Sequence, residues 1–428
     1  MFALAAVTLL LVSLFKSDFF RPSVLYFLVQ MIMLGVAYLK LLPAMTDFKL
    51  NTWLVWGGGM AAFIGGSVLT EMVWASKGGP RLPDKITLHG EYSWQTHFWV
   101  RFLAFAYFRI GVIGVVSVAG NFILLTDKPS FWLSGDSPAL KFADFFTSGT
   151  MVVGLYAVAS FKAINPVRWV RNASRFMVVL TIALSFMTFP SRGINMLCIG
   201  IVLLLYNYLH GRFTWKILAV ISIFVLVFFV AVASLKGQYG ESSTQDLMSN
   251  RMVKTVAMLP YMYVANNYWN LDYALNRNSD VFEHEWTYGI DAFYGLTHLM
   301  WIGDGLQSSF GWDTPFNESI VKKEGLNTVP YLWDAYKDFG TVGLFFVPFF
   351  FGILFTWLYR HMAQVKSPLG ILVMCVFMMW IILWNFTTGY KQSMYWIWIG
   401  FFALVCTVST GKGFLPAKST LPQVVAQK

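Results

Sequence analysis

The chain has 428 residues, of which 57% are hydrophobic and only 12% charged, with a net charge of +10. Soluble domains carry about 25% charged residues, so this composition excludes a string of soluble domains and indicates a polytopic membrane protein. The excess of lysine and arginine is unevenly distributed along the chain, a pattern of membrane orientation rather than of nucleic-acid binding.

Apolar runs predict about eleven transmembrane helices: Met1–Phe15, Pro22–Leu42, Trp53–Trp74, Tyr107–Leu125, Gly149–Ile164, Phe176–Phe189, Ile194–Leu209, Ile217–Leu235, Gly340–Tyr359, Leu369–Phe386 and Met394–Ser409. The expected fold is all-α, a membrane helix bundle. Met1–Phe15 lacks a basic leader and a small-x-small cleavage site, so it reads as a short first span and not as a removed signal peptide. Trp94–Phe108 reads as a separate interfacial helix, with Arg101 and Arg109 near lipid headgroups. The span interiors are almost bare of charge; Glu71 lies near one end, with no paired set at mid-depth. Cys198, Cys375 and Cys406 all fall in apolar runs and read as small buried hydrophobes.

Eight spans thus fill residues 1–235, three fill 340–409, and 410–428 form a tail. Between them lies a loop, 236–339, of 104 residues, which holds 13 of the 21 acids and seven basic residues. Structureless loops of this length are uncommon and usually functional, so short helices lying over the bundle are expected in it. Eleven spans put Arg168, Arg171, Arg175, Arg212, Lys216, Arg360, Lys366, Lys412, Lys418 and Lys428 on one side. That side sums to +13 and the other to −5. Basic loops stay inside, so the tail is expected in the cytoplasm and the long loop on the outer face.

The chain has no P-loop and no nucleotide fingerprint. His284-Glu285 is followed by Tyr288 where a zinc-protease helix needs histidine, and there is no Asp-x-Asp pair. Glu283-His284-Glu285 comes nearest to a metal cluster and reads as a solvated turn. No metal and no cofactor are expected.

Arg192 stands in Phe189-Pro190-Ser191-Arg192-Gly193, a tight outer hairpin between two spans. Orientation rules favour basic anchors on the other face, so an arginine here wants an anionic partner. Lys236, Arg251, Lys254 and Lys391 each also read as interfacial anchors. Together with Arg192 they would form a basic cluster at one depth, which suits phosphate or pyrophosphate. The stretch Asn327–Gly340 runs into the ninth span. As a helix it puts Asp334 and Asp338 on one face, and Thr328 near Tyr331. One carboxylate is then a candidate base, although Asp338 also suits the role of helix-dipole partner. His284 and His298 are further candidate bases. Tyr261, Tyr336 and Thr328 are candidate sugar contacts, while loop aromatics equally suit an interfacial belt.

The block Asn327–Gly343, running into Leu344-Phe345-Phe346-Val347-Pro348-Phe349-Phe350-Phe351-Gly352, resembles the oligosaccharide repeat-unit polymerases, the Wzy-type O-antigen and capsule polymerases. Pro260-Tyr261-Met262-Tyr263, Asn266-Asn267-Tyr268-Trp269 and Ser191-Arg192-Gly193 are similar to their early loop and arginine hairpin. The spaced Arg-x-Gly loop repeats of some members are not found after Arg192, Arg251 or Arg277. The resemblance implies a glycosyltransferase of the bacterial inner membrane. Its donor would be a glycan on undecaprenyl pyrophosphate and its acceptor a lipid-linked repeat unit. Arg and Lys would stabilise the leaving pyrophosphate without a metal, and an acid or histidine would take the acceptor proton. Membrane lipid, a chain-length regulator and a flippase are the expected partners. Two other classes fit less well: an O-antigen ligase or other lipid-dependent glycosyltransferase, and a polysaccharide-unit transporter or flippase.

Overall fold

The computed structural model describes residues 1–14, 18–41, 47–79, 94–119, 149–162, 164–165, 167–188, 192–214, 216–223, 227, 259–276, 289, 330–365, 368–386, 388 and 393–410. Every regular element among the described residues is helical. In chain order these are α1 Phe2–Leu14, α2 Pro22–Ala37, α3 Leu50–Ser76, α4 Trp94–Ala119, α5 Thr150–Ala159, α6 Arg168–Thr188 and α7 Arg192–Leu209. They are followed by α8 Leu259–Asn276, α9 Tyr331–Val365, α10 Pro368–Leu383 and α11 Ser393–Thr410.

Among the described residues, three helices are long and apolar enough to cross a membrane, within Leu50–Ser76, Arg168–Met187 and Tyr331–His361, and six further apolar helices are shorter. The all-α expectation is met, and the expected number of eleven spans is not confirmed by the described residues. α5 has ten residues and rises about 15 Å, half of a bilayer core of about 30 Å. Boundaries differ as well, most instructively at two helices. Trp94–Ala119 is one continuous helix, not an interfacial helix followed by a span, because nothing between Phe108 and Arg109 breaks it. α6 starts at Arg168, eight residues before the expected Phe176, since its basic first turns are still good helix formers.

The central pair is α3 against α9. Close approach comes from small residues, as it does where apolar helices pack without a hydrophobic drive between them. A Cβ on Gly66 would strike the Phe349 carbonyl, and one on Gly352 the Phe63 carbonyl. Ser67 Oγ donates to the Gly352 carbonyl at 3.3 Å across the same seam.

α9 is not one rod. Gly340 has φ 61° and ψ −149°, a conformation essentially open to glycine alone. Gly343 lies so close to the Ala335 carbonyl that a Cβ there would strike it. In a straight helix residues eight apart are about 12 Å apart, so the chain reverses at Gly340. Tyr331–Phe339 therefore rises beside the longer arm, 341–365, which descends. The foot of the short arm is deep: the Tyr331 ring stacks on Trp384 at 4.3 Å, and Trp384 meets Phe351 and Phe355 of the long arm at 5.2 and 5.3 Å. Tyr331 N–H donates to the Trp384 carbonyl at 2.9 Å.

One end of the bundle is tied by ions. Glu71 Oε2 accepts from Arg360 Nε at 2.8 Å, and Arg21 Nη2 lies 3.0 Å from Glu71 Oε1. The acid that looked isolated in the sequence thus has two arginine partners from other parts of the chain. Beside it, Asp18 accepts from Tyr359 OH at 2.7 Å and Asn207 Nδ2 at 3.1 Å. Glu71→Gln is expected to lower stability by about 1–2 kcal/mol, less than a fully buried pair because all three side chains keep some solvent. A thermal melt in detergent, with Arg360→Gln in the same background to test coupling, checks this.

Candidate functional site

The other end holds the residues that could do chemistry. α7 and α10 run antiparallel, since Tyr208 of α7 and Tyr359 of α9 lie 6.2 Å apart at the Glu71 end, where α10 begins. Gly200 of α7 packs on Met379 of α10. Arg192 is eight residues before Gly200, and Thr388 nine residues after Met379. The first turn of α7 and Thr388 therefore reach the same end of the bundle.

Asp334 stands in the first turn of the short arm of α9. Thr388 Oγ1 donates to its Oδ2, and Lys337 Nζ lies 3.8 Å from its Oδ1. The Asp334 side chain is 18% exposed. Asp338, one turn on, is 1% exposed. Burial thus separates two carboxylates that the spacing alone left equivalent. Asp334 is within reach of a guest. Asp338 sits two residues before the corner, inside the fold. Asp334 is the first-turn acid of the short arm, while Asp338 stands just before the long arm begins, where the sequence placed it as a dipole partner.

Tyr336 is half-buried on the same arm, its ring stacked with Trp333 at 5.7 Å. Tyr261 lies on α8, the helix supplied by the long loop. Its hydroxyl accepts from Leu41 N–H at 2.9 Å, beyond the last turn of α2, and burial pushes the phenol up from its ordinary range. At its far end α8 is pinned by Asp272, which accepts from Thr52 Oγ1 at 2.6 Å and Lys49 N–H at 2.9 Å. Among the described residues, one helix lies wholly within the expected loop, α8, and it packs on α2 and α3.

The structure thus brings Asp334, Asp338, Tyr336, Tyr261 and the backbone of Arg192 to one end. Lys236, Arg251, Lys254, Lys391, His284, His298 and Thr328 lie outside the described residues. Thr388 and Lys337 are polar partners that sequence reasoning did not single out. Thr388 had a visible signal, a hydroxyl in a short polar turn between two apolar runs. Among the described residues no group of three His, Cys, Asp or Glu side chains could hold a metal ion. No protein-family model matches the chain, and neither does any curated protein or solved structure.

Proposed function

We propose that the chain is a polymerase of lipid-linked oligosaccharide repeat units. In this reading about eleven spans lie in a bacterial inner membrane, with the Thr388 end facing out and the C-terminus in the cytoplasm. The observation that carries the reading is Asp334, a reachable carboxylate recessed beside Thr388, at the end where α7 begins with Arg192 and the loop helix α8 docks.

The chemistry follows from those groups. The Asp334 carboxylate takes the proton of an acceptor sugar hydroxyl as its oxygen attacks the anomeric carbon of the donor. The bond from that carbon to the pyrophosphate oxygen breaks, and the glycan passes to the acceptor. Undecaprenyl pyrophosphate leaves with the negative charge. Arg192 stabilises that charge where it develops, as a bidentate donor. Both substrates are anchored in one membrane, which confines them and supplies proximity.

The test is polymer formation by the purified protein in nanodiscs with a lipid-linked repeat unit; a ladder supports the reading, and unchanged substrate removes it. Arg192→Ala is expected to abolish long polymer while the protein accumulates normally. Arg192→Lys is expected to recover only part of it, since a point charge replaces a fork. A reporter fused after Lys428 is expected to behave as cytoplasmic, and one inserted at Asn278 as external.

A transport reading draws on one observation, the discontinuous α9, because broken helices line the substrate paths of transporters. It is distinguished by net movement of lipid-linked units across a vesicle without any new glycosidic bond.

A further inference from the structure

Below Asp334, the interior holds more polar groups than packing needs. Gln30, Trp56, Tyr268, Trp384 and Asn385 are each at most 1% exposed. Among the described residues, Gln30 Nε2, Trp56 Nε1, Trp384 Nε1 and Asn385 Nδ2 find no hydrogen-bond partner. Buried donors are normally paired, and leaving one unmade is unfavourable. These four are neighbours, because Tyr268 touches three of them. Its hydroxyl lies 3.2 Å from Gln30 Oε1 and 2.9 Å from Asn385 Oδ1, and its ring stacks on Trp56 at 4.6 Å. Trp384 directly precedes Asn385 and stacks on Tyr331.

Tyr268 does not satisfy what surrounds it. A phenol donates one proton and accepts through its oxygen, so it serves at most one edge of each amide and leaves the Trp56 and Trp384 N–H groups without a partner among the described residues. Each amide offers an acceptor and two donors, a pattern complementary to a pair of adjacent hydroxyls. The remaining groups are an aromatic face for a flat ring and indole N–H groups for further oxygens.

We propose that Gln30, Trp56, Trp384 and Asn385 form a subsite for a hydroxyl-bearing sugar ring, and that Tyr268 occupies it as an internal stand-in. This rests on the saccharide reading of the Asp334 site, which lies one helical turn above. α8 is then a strap that withdraws when sugar binds. Its polar attachments are at Tyr261, Tyr268 and Asp272, and its buried face combines Asn266, Asn267 and Asn270 with Ala265 and Leu271. The polar part of that face exchanges for water at small net cost.

The test uses the full-length protein in lipid nanodiscs and a panel of methyl glycosides of glucose, galactose, rhamnose and N-acetylglucosamine. Binding is followed by calorimetry, and the strap by hydrogen exchange across Leu259–Asn276. At least one glycoside is expected to bind and to raise exchange in that helix. Tyr268→Phe keeps the ring but removes the competing hydroxyl, so affinity is expected to tighten about three- to tenfold. Asn385→Leu is expected to lose binding, and Gln30→Met, close to isosteric, gives the same answer if Asn385→Leu fails to accumulate. Exchange that stays level or falls at saturation overturns the proposal. So does unchanged affinity in Tyr268→Phe, or a panel that binds neither form. If glycosides displace the strap but no polymer forms, the subsite stands and the polymerase reading falls. If polymer forms while the strap never moves, the polymerase reading stands and the subsite falls.

Discussion

Asp334→Asn is expected to cut the rate of polymer formation by about 10²–10⁴ while leaving the protein folded. Asparagine keeps the size of the side chain and can still accept from Thr388, so the Lys337 ion pair is what is lost and the local fold changes little. What it lacks is the basicity to take a hydroxyl proton. Asp338→Asn is expected to behave differently. That side chain is enclosed next to the corner of α9, so its loss lowers the amount of folded protein and leaves the rate per folded molecule nearly intact. Single-turnover rates normalised to monodisperse protein separate the two. A normal rate in Asp334→Asn would remove it as the base.

The second large effect is structural. Gly66→Leu and Gly352→Leu are each expected to destabilise the protein by at least about 3 kcal/mol, because the added atoms meet backbone carbonyls that cannot rotate away. Gly66→Ala already collides with Phe349 and is expected to cost about 1–3 kcal/mol. Gly65 supplies the control. It is the neighbour of Gly66 on the same helix, and a Cβ there meets nothing within 4 Å. Gly65→Ala is expected to be neutral or to stabilise by about 0.5–1 kcal/mol through helix propensity. Thermal melts of these variants in one detergent check the ranking; equal losses at Gly65 and Gly66 would remove the seam as the cause.

Helical class and the approximate position of most helices were legible in the sequence because apolar runs are local. α7, α10 and α11 fall within a few residues of expectation. The reversal in α9 was not legible. Gly340 lies between a mixed segment and an apolar one, and such a glycine looks the same whether it starts a span, relaxes a helix or turns the chain back. The shortness of α5 is likewise silent, since Gly149–Ile164 is apolar through most of its length.

The site was readable only in part, for a related reason. Asp334 and Asp338 share a helical face, and spacing finds that. Which of them is enclosed depends on the chain reversal and on α10, neither of which spacing reports. Gln30 and Asn385 each look like an ordinary polar exception in an apolar segment, and Tyr268 sits in a polar aromatic block that does not show which distant residues it meets. Glu71 shows the same limit. Arg360 reads in the sequence as a marker of orientation, and its second use, with Arg21, in an ion cluster emerges only when distant parts of the chain meet.

The short arm of α9 also sets an order on biosynthesis. Tyr331 is synthesised 53 residues before Trp384, whose carbonyl is the acceptor for its N–H. At about 5–20 residues per second, translation takes roughly 3–10 s to cover that interval. During it the foot of the arm has neither its acceptor nor the indole on which its ring stacks. The long arm, by contrast, can settle against α3 as soon as it is made. The ascending arm therefore completes its contacts only after α10 is made, and the candidate base it carries reaches its final place no earlier.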